Sequence, residues 1–270
     1  MVGNPVIHQS IDPSVCRKMS DSILTVSNLS KTFDGLKAVD DFSFSIEKGK
    51  IIGLIGPNGA GKTTAFHLIT GFLQADAGEI RYRHQKINRL PAYKIAQHGI
   101  ARTFQDLRLI SGLRVIENVL LARQRQTGER FFSAMVNRRK VQREEAKNRQ
   151  RAAEILEFVG LAEKDDDLAG ALSYGQQKLL SLACALATEA ELLLLDEPAS
   201  GIHPDMIEQM LSLIVRLAKE GKTIFFIEHN IEAVMQICDQ VMVMDAGRKI
   251  AEGPPQVIKK KPEIWEAYLE

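Results

Sequence analysis

The stretch that decides the reading is Ile51-Ile52-Gly53-Leu54-Ile55-Gly56-Pro57-Asn58-Gly59-Ala60-Gly61-Lys62-Thr63-Thr64. Its first five residues are a continuous apolar run, the pattern of a strand buried on both faces of a parallel sheet. Gly56 to Thr63 then fit the spacing G-x-x-x-x-G-K-[ST], and a helical run from Thr64 to Thr70 follows. Strand, glycine turn and helix start, in that order, make a phosphate cradle. The glycines let the backbone curl so that its N–H groups aim at phosphate oxygens, and the helix N-terminus adds partial positive charge. Lys62 is placed to reach the β- and γ-phosphates, and the Thr63 hydroxyl is a hard oxygen ligand suited to Mg²⁺. A chance glycine turn rarely comes with both the motif and its flanking elements.

A second apolar strand, Leu192 to Leu195, runs into Asp196-Glu197-Pro198. Asp196, at the strand's C-terminal edge, is placed to hold Mg²⁺ through water. Glu197 is next along, points differently, and is suited to take the proton from an attacking water. Alone, the pattern also describes a strand capped by two solvated acids; beside a phosphate cradle, the catalytic reading is the stronger.

The rest of the chain sets the frame. It has 270 residues, 45% of them hydrophobic and 26% charged, enough for one large domain or two modest ones. Lys+Arg 35 against Asp+Glu 34 gives a net charge of +1, which argues against a dedicated nucleic-acid binder and against an acidic disordered chain. Three widely spaced cysteines, Cys16, Cys184 and Cys238, make neither a disulfide framework nor a zinc site. No apolar run approaches the ~18 residues of a membrane helix, and no secretory signal opens the chain. Composition thus predicts a soluble cytosolic protein. Residues 1–19 read as a flexible tail, with Met19 a second possible start.

The pattern predicts strands over Ile23–Val26, Phe42–Ile46, Thr223–Ile227 and Val241–Met244, with a short one near Ile250. A helix over Pro204–Glu220 has Pro204 at its start and Gly221 just past its end. Strands alternating with helices imply a mainly parallel sheet covered on both faces. Residues 113–159 are helical in pattern, and within 123–151 basic residues exceed acidic ones by seven, so the remainder carries −6. A solvated helical face is the plainer reading of that excess; a docking surface for anionic lipid head groups or an acidic partner is the functional one.

A third element, Leu172-Ser173-Tyr174-Gly175-Gln176, precedes an amphipathic helix carrying Leu179, Leu180, Leu182, Ala183 and Leu186. Over residues 22–253 the sequence now resembles the ATP-binding cassette family, whose signature is L-S-G-G-Q. Gln105, in Arg102-Thr103-Phe104-Gln105, matches the family's glutamine loop; His229, in Ile227-Glu228-His229-Asn230, matches its switch histidine; Phe33 matches the aromatic position that stacks on adenine. Two departures stand out. Tyr174 replaces the first signature glycine, and Ser200-Gly201-Ile202-His203 stands where S-A-L-D is usual, so the cross-dimer contact of that aspartate is in doubt.

The resemblance implies an α/β fold: a P-loop NTPase (RecA-like) core with an antiparallel β subdomain and an inserted helical signature subdomain at about 106–185. The cassette would span 20–253, with a C-terminal helical tail over 254–270. It implies ATP and Mg²⁺ as ligands, held by Phe33, Gly56, Pro57, Asn58, Gly59, Ala60, Gly61, Lys62, Thr63 and Thr64, with Thr63, Gln105 and Asp196 at the metal. Glu197, His229 and Gln105 would carry hydrolysis. Ser173, Gly175 and Gln176 of a second cassette, identical or a sister, would complete the γ-phosphate cage in trans.

Within the family, the sequence is most similar to the larger ATP-binding subunit of bacterial branched-chain amino-acid importers. Ala101-Arg102-Thr103-Phe104-Gln105, Tyr174-Gly175-Gln176-Gln177, Glu228-His229-Asn230 and Glu266-Ala267-Tyr268-Leu269 carry that likeness. Related importers carry urea, other amides or other small solutes. The implied partners are two transmembrane permease subunits and, indirectly, a periplasmic solute-binding protein, at the cytoplasmic face of the inner membrane, with no nucleic acid. A soluble cassette acting on nucleic acid or ribosomes, and a generic P-loop kinase or GTPase, are the competing classes; a single P-loop counts against the first, and the lack of a guanine-reading N-K-x-D segment against a GTPase.

Overall fold

A computed structural model describes residues 22–124 and 138–261 of the chain. The tail expected over 1–19, the part of the basic insertion at 125–137, the side chains of Arg138, Arg139 and Lys140, and the terminal stretch 262–270 lie outside the described residues.

Two sheets are stacked. β1 (Ser22–Phe33), β2 (Leu36–Glu47), β4 (Ala77–Tyr82) and β5 (Gln85–Lys86) form an antiparallel sheet of order β2-β1-β4-β5. The second sheet has order β10-β9-β3-β8-β7-β6. Its members are β3 (Ile51–Ile55), β6 (Ile100–Arg102), β7 (Leu192–Asp196), β8 (Thr223–Ile227), β9 (Gln240–Asp245) and β10 (Arg248–Gly253). It is parallel except for the β9–β10 hairpin. The helices are α1 (Lys62–Ile69), α2 (Ala92–His98), α3 (Val115–Ala122), α4 (Arg138–Val159), α5 (Tyr174–Ala187), α6 (Pro204–Lys219), α7 (Ile231–Ile237) and the short α8 (Pro255–Ile258). This is the α/β organisation the sequence predicts.

The apolar runs of β3, β7 and β8 serve two cores at once, because side chains alternate along a strand. Ile52, Leu54, Leu192, Leu194, Phe225 and Ile227 face the antiparallel sheet and α1, joined there by Phe42, Phe44 and Phe66. Ile51, Ile55, Leu193, Leu195, Ile224 and Phe226 face the other way, into a core completed by α3 to α6. Between the helices, Val115, Ile116 and Val119 meet Ile155, Leu156 and Val159 and the Leu179, Leu180, Leu182 and Ala183 stripe of α5, at the i, i+3, i+4 spacing of helix faces.

Several element boundaries move: β2 begins at Leu36, six residues ahead of the expected Phe42. β1 runs on to Phe33, well past the expected Val26, because its polar second half (Ser27, Asn28, Ser30, Lys31) is edge-paired with β2 and β4 through several register shifts, a geometry that no simple alternation signals. α1 begins at Lys62, two residues ahead of the expected Thr64: Gly61, at φ +97, turns the chain into the helix without a side-chain cap.

Candidate functional site

The parallel order β9-β3-β8-β7-β6 lays the carboxyl ends of five strands along one edge, where ligands of open α/β sheets bind. Gly56 follows β3, Asp196 ends β7 and Glu197 follows it, Glu228 and His229 follow β8, and Thr103 to Gln105 follow β6.

The cradle is set by close backbone approach. A Cβ on Gly56 would sit 2.0 Å from the Met244 carbonyl oxygen, and one on Gly61 2.1 Å from that of Ala38. Gly247 N–H donates to the Ala60 carbonyl at 3.0 Å and pins the loop to the turn after β9. Asn58 and Gly59 at the loop crest are exposed, Pro57, Thr63 and Thr64 are half-buried, and Ala60 is buried. Lys62 is buried, and its ammonium donates to the carbonyls of Gly56 (2.7 Å) and Pro57 (2.8 Å), which fixes it across the mouth of the loop. Burial holds its pKa below the ordinary lysine value, opposed by the negative charges of Glu197 and Asp196.

Three residues far apart in sequence meet at one carboxylate. Glu197 Oε1 lies 2.9 Å from His229 Nε2, and Glu197 Oε2 accepts from Gln105 Nε2 at 3.2 Å. Glu197 itself has positive φ (49°), which swings it out of line with β7, and its N–H donates to the Ile227 carbonyl at 3.0 Å. A carboxylate held on both oxygens beside an imidazole is the kind of group that can accept a proton from water.

Asp196 is differently served. Oδ2 accepts from Arg102 Nη2 at 2.7 Å, and Asp196 N–H donates to Thr103 Oγ1 at 3.2 Å. Oδ1 is buried and has no hydrogen-bond partner among the described residues. An orphaned buried carboxylate oxygen is costly unless something fills it, and a carboxylate oxygen is the hard donor type that a hydrated Mg²⁺ takes.

Three charged residues that sequence reasoning did not single out complete the site. Arg102 is the first. The second is Lys178, buried one turn into α5, which donates to the Glu197 carbonyl at 2.6 Å. Glu228 is the third: it is buried, accepts from the N–H groups of Ala199 (2.7 Å) and His229 (3.2 Å), and has its pKa raised by burial. The only advance signal was a charge set in an otherwise apolar run, as in Thr223-Ile224-Phe225-Phe226-Ile227-Glu228. The buried side chains thus balance three acids (Asp196, Glu197, Glu228) against three bases (Lys62, Arg102, Lys178).

The signature stands apart. Ser173 and Gln176 form a reciprocal capping box at the start of α5, Gln176 N–H to Ser173 Oγ at 3.3 Å and Ser173 N–H to Gln176 Oε1 at 3.0 Å. Ser173 is exposed, and Gly175 and Gln176 are half-buried. Tyr174, half out in solvent, lies against Gly201: a Cβ there would stand 3.1 Å from the ring. The two departures from the family pattern therefore touch each other. Phe33 stands at the end of β1 with 41% of its surface exposed and the Lys31 ammonium 5.5 Å from its ring centre.

The family model for "ABC transporter" matches residues 39–200. The high-affinity branched-chain amino acid transport ATP-binding protein BraF of Pseudomonas aeruginosa is 39% identical over 252 residues, 93% of this chain and 99% of that protein. LivG of Escherichia coli, described in the same terms, matches equally, and the probable LivG of Archaeoglobus fulgidus is 40% identical over 92% of this chain and 95% of its own. A nucleotide-free ATP-binding cassette from an ABC transporter superposes with a TM-score of 0.80 at 33% identity, covering 92% of this chain and 98% of its own. The ADP conformation of such a cassette gives 0.79 at 31% identity over the same shares. With a matching family model over most of its length and relatives aligned nearly end to end, the chain belongs to the ATP-binding cassette family and is one of its transport ATPases.

Proposed function

We propose that the chain is the ATP-hydrolysing subunit of a branched-chain amino-acid importer, working at the cytoplasmic face of a bacterial inner membrane. The observation that carries the catalytic part is the convergence of Gln105, Glu197 and His229 at the edge of the phosphate cradle. The cargo rests on the printed descriptions of relatives that align over almost their whole length. An importer for urea, amides or another small solute is the second reading, since the site itself never touches the cargo.

In this reading Phe33 stacks on adenine, the N–H groups of residues 56–64 and the Lys62 ammonium bind the phosphates, and Thr63, Asp196 and Gln105 hold Mg²⁺. The cation, when bound, neutralises phosphate charge. Glu197 takes the proton from the attacking water, His229 steadies Glu197 and the γ-phosphate, and Gln105 senses the state of the site. Ser173, Gly175 and Gln176 of a second cassette, identical or a sister, close the cage from outside; the exposure of Ser173 and the capped start of α5 support that role.

No helix among the described residues is long and apolar enough to cross a membrane, so the proposed partners are two permeases that supply the path, fed by a periplasmic binding protein. The docking surface is a groove of about 470 Å³ beside Gln105 that gathers Phe72, Tyr93, Phe104, Arg108, Ile110 and Leu121. Four of these, Phe72, Tyr93, Ile110 and Leu121, are exposed large hydrophobics. Such a patch is expected where a partner covers it.

Glu197→Gln should bind ATP with wild-type affinity while turnover falls by about 10²–10⁴-fold; near-normal hydrolysis would remove Glu197 from its role. Uptake of labelled leucine and of labelled urea, in cells with and without the gene, separates the two cargo readings: loss of leucine uptake supports the first, and loss of urea uptake alone the second.

A further inference from the structure

Arg102 sits where a cation-binding site has least use for a positive charge. Its side chain is only 4% exposed and its Nη2 is 2.7 Å from Asp196 Oδ2, a carboxylate 1% exposed. Nor is it free to leave. Its guanidinium carbon lies 5.6 Å from the ring centre of Phe66 and 5.0 Å from that of Phe104, and Nη1 reaches Thr70 Oγ1 at 3.5 Å. Nε has no partner among the described residues, so the group is not held by a saturated hydrogen-bond network but by the rings and the one carboxylate. The same carboxylate keeps its other oxygen, Oδ1, unpartnered.

We propose that Arg102 is a fixed counter-ion to Asp196, a positioning residue that presents Oδ1 to the cation while cancelling most of the carboxylate's charge. The site then has little hold on a divalent cation by itself; the cation arrives with the nucleotide, whose phosphates supply the missing negative charge, and leaves with the products. Arg102 and its ring partner Phe104 also line the groove proposed for docking. The inference rests on Asp196 being the cation's protein carboxylate.

The test is Mn²⁺ binding to the nucleotide-free full-length protein, followed by electron paramagnetic resonance or calorimetry. Wild type should bind more weakly than about 1 mM. The neutral variants Arg102→Met and Arg102→Gln should bind about tenfold tighter or more, since a positive charge a few ångströms away has been removed in a poorly solvated site. Arg102→Lys, which keeps the charge though not the ring stacking, should gain less affinity than either neutral variant. In Arg102→Gln, adding Asp196→Asn should erase the gain. A purely structural ion pair would change melting temperature in all three single variants and leave cation affinity alone. Neutral variants that bind no tighter, or wild type that binds Mn²⁺ at micromolar concentration without nucleotide, would overturn the proposal; the wild-type result stands even if a neutral variant does not fold. If Asp196→Asn leaves the Mg²⁺ dependence of ATP binding unchanged, it is the placing of Asp196 that fails instead.

Discussion

The cradle edge and the signature edge are two halves of chemistry built to opposite standards. At the cradle, the acids Asp196, Glu197 and Glu228 and the bases Lys62, Arg102 and Lys178 are buried together within one chain. At the signature, Ser173 is exposed, and its side chain and that of Gln176 each accept the other's backbone N–H. The first half carries the buried charged groups; the second, among the described residues, carries an exposed serine held in a capping box. That asymmetry makes physical sense if the second half acts on the cradle of another cassette: a surface that must engage and release repeatedly can stay solvated in between, while the capping box holds the start of α5 in one geometry.

The largest effect that sharpens the contrast is at the buried half. Lys62→Ala removes a charge-assisted donor and leaves two carbonyls without a partner, so ATP affinity should fall by about 10- to 100-fold, read by calorimetric titration. Wild-type affinity in that variant would break the comparison. A smaller effect is expected where the halves meet. Gly201→Ala places a methyl 3.1 Å from the Tyr174 ring at φ +74, costing about 1 kcal/mol in urea unfolding, with Tyr174→Gly relieving the steric part of it. The smallest is a change of slope. Burial raises the Glu228 pKa above its ordinary 4.5, so the folded state holds this proton more tightly than the unfolded chain. Its contribution is fully present below pH 4.5 and is lost as pH rises through the folded-state value. Glu228→Gln should therefore flatten the decline of stability above pH 4.5, measured by urea midpoints across pH.

What the sequence made legible follows the same divide between local and distant constraint. The cradle, the Asp196-Glu197 strand end and the Pro204 helix start are written in contiguous residues, because turns, caps and strand ends are decided within a few positions. Gln105 and His229 were found only through the family pattern, and their meeting at Glu197 required the fold. Arg102, Lys178 and Glu228 escaped because their partners lie 94, 19 and 29 positions away, and side-chain pairing across a sheet edge leaves no period in the chain. β1 was cut short for a related reason: its polar half is held by two neighbouring strands rather than by burial of alternate residues. The self-capping of the signature, Ser173-x-x-Gln176, is equally local, but in the sequence the stretch was legible only as the family signature, and the capping box was missed.

In the proposed function the signature edge serves turnover and leaves nucleotide binding by the same chain untouched. Ser173→Asp tests it most directly, since aspartate caps a helix as well as serine does but turns a negative charge toward an incoming phosphate. ATP affinity by calorimetry and steady-state hydrolysis should be measured on the same preparation. The predicted result is wild-type ATP affinity and unchanged melting temperature with turnover reduced by about 10²-fold. Wild-type turnover, or a loss of affinity like that expected of Lys62→Ala, would contradict it.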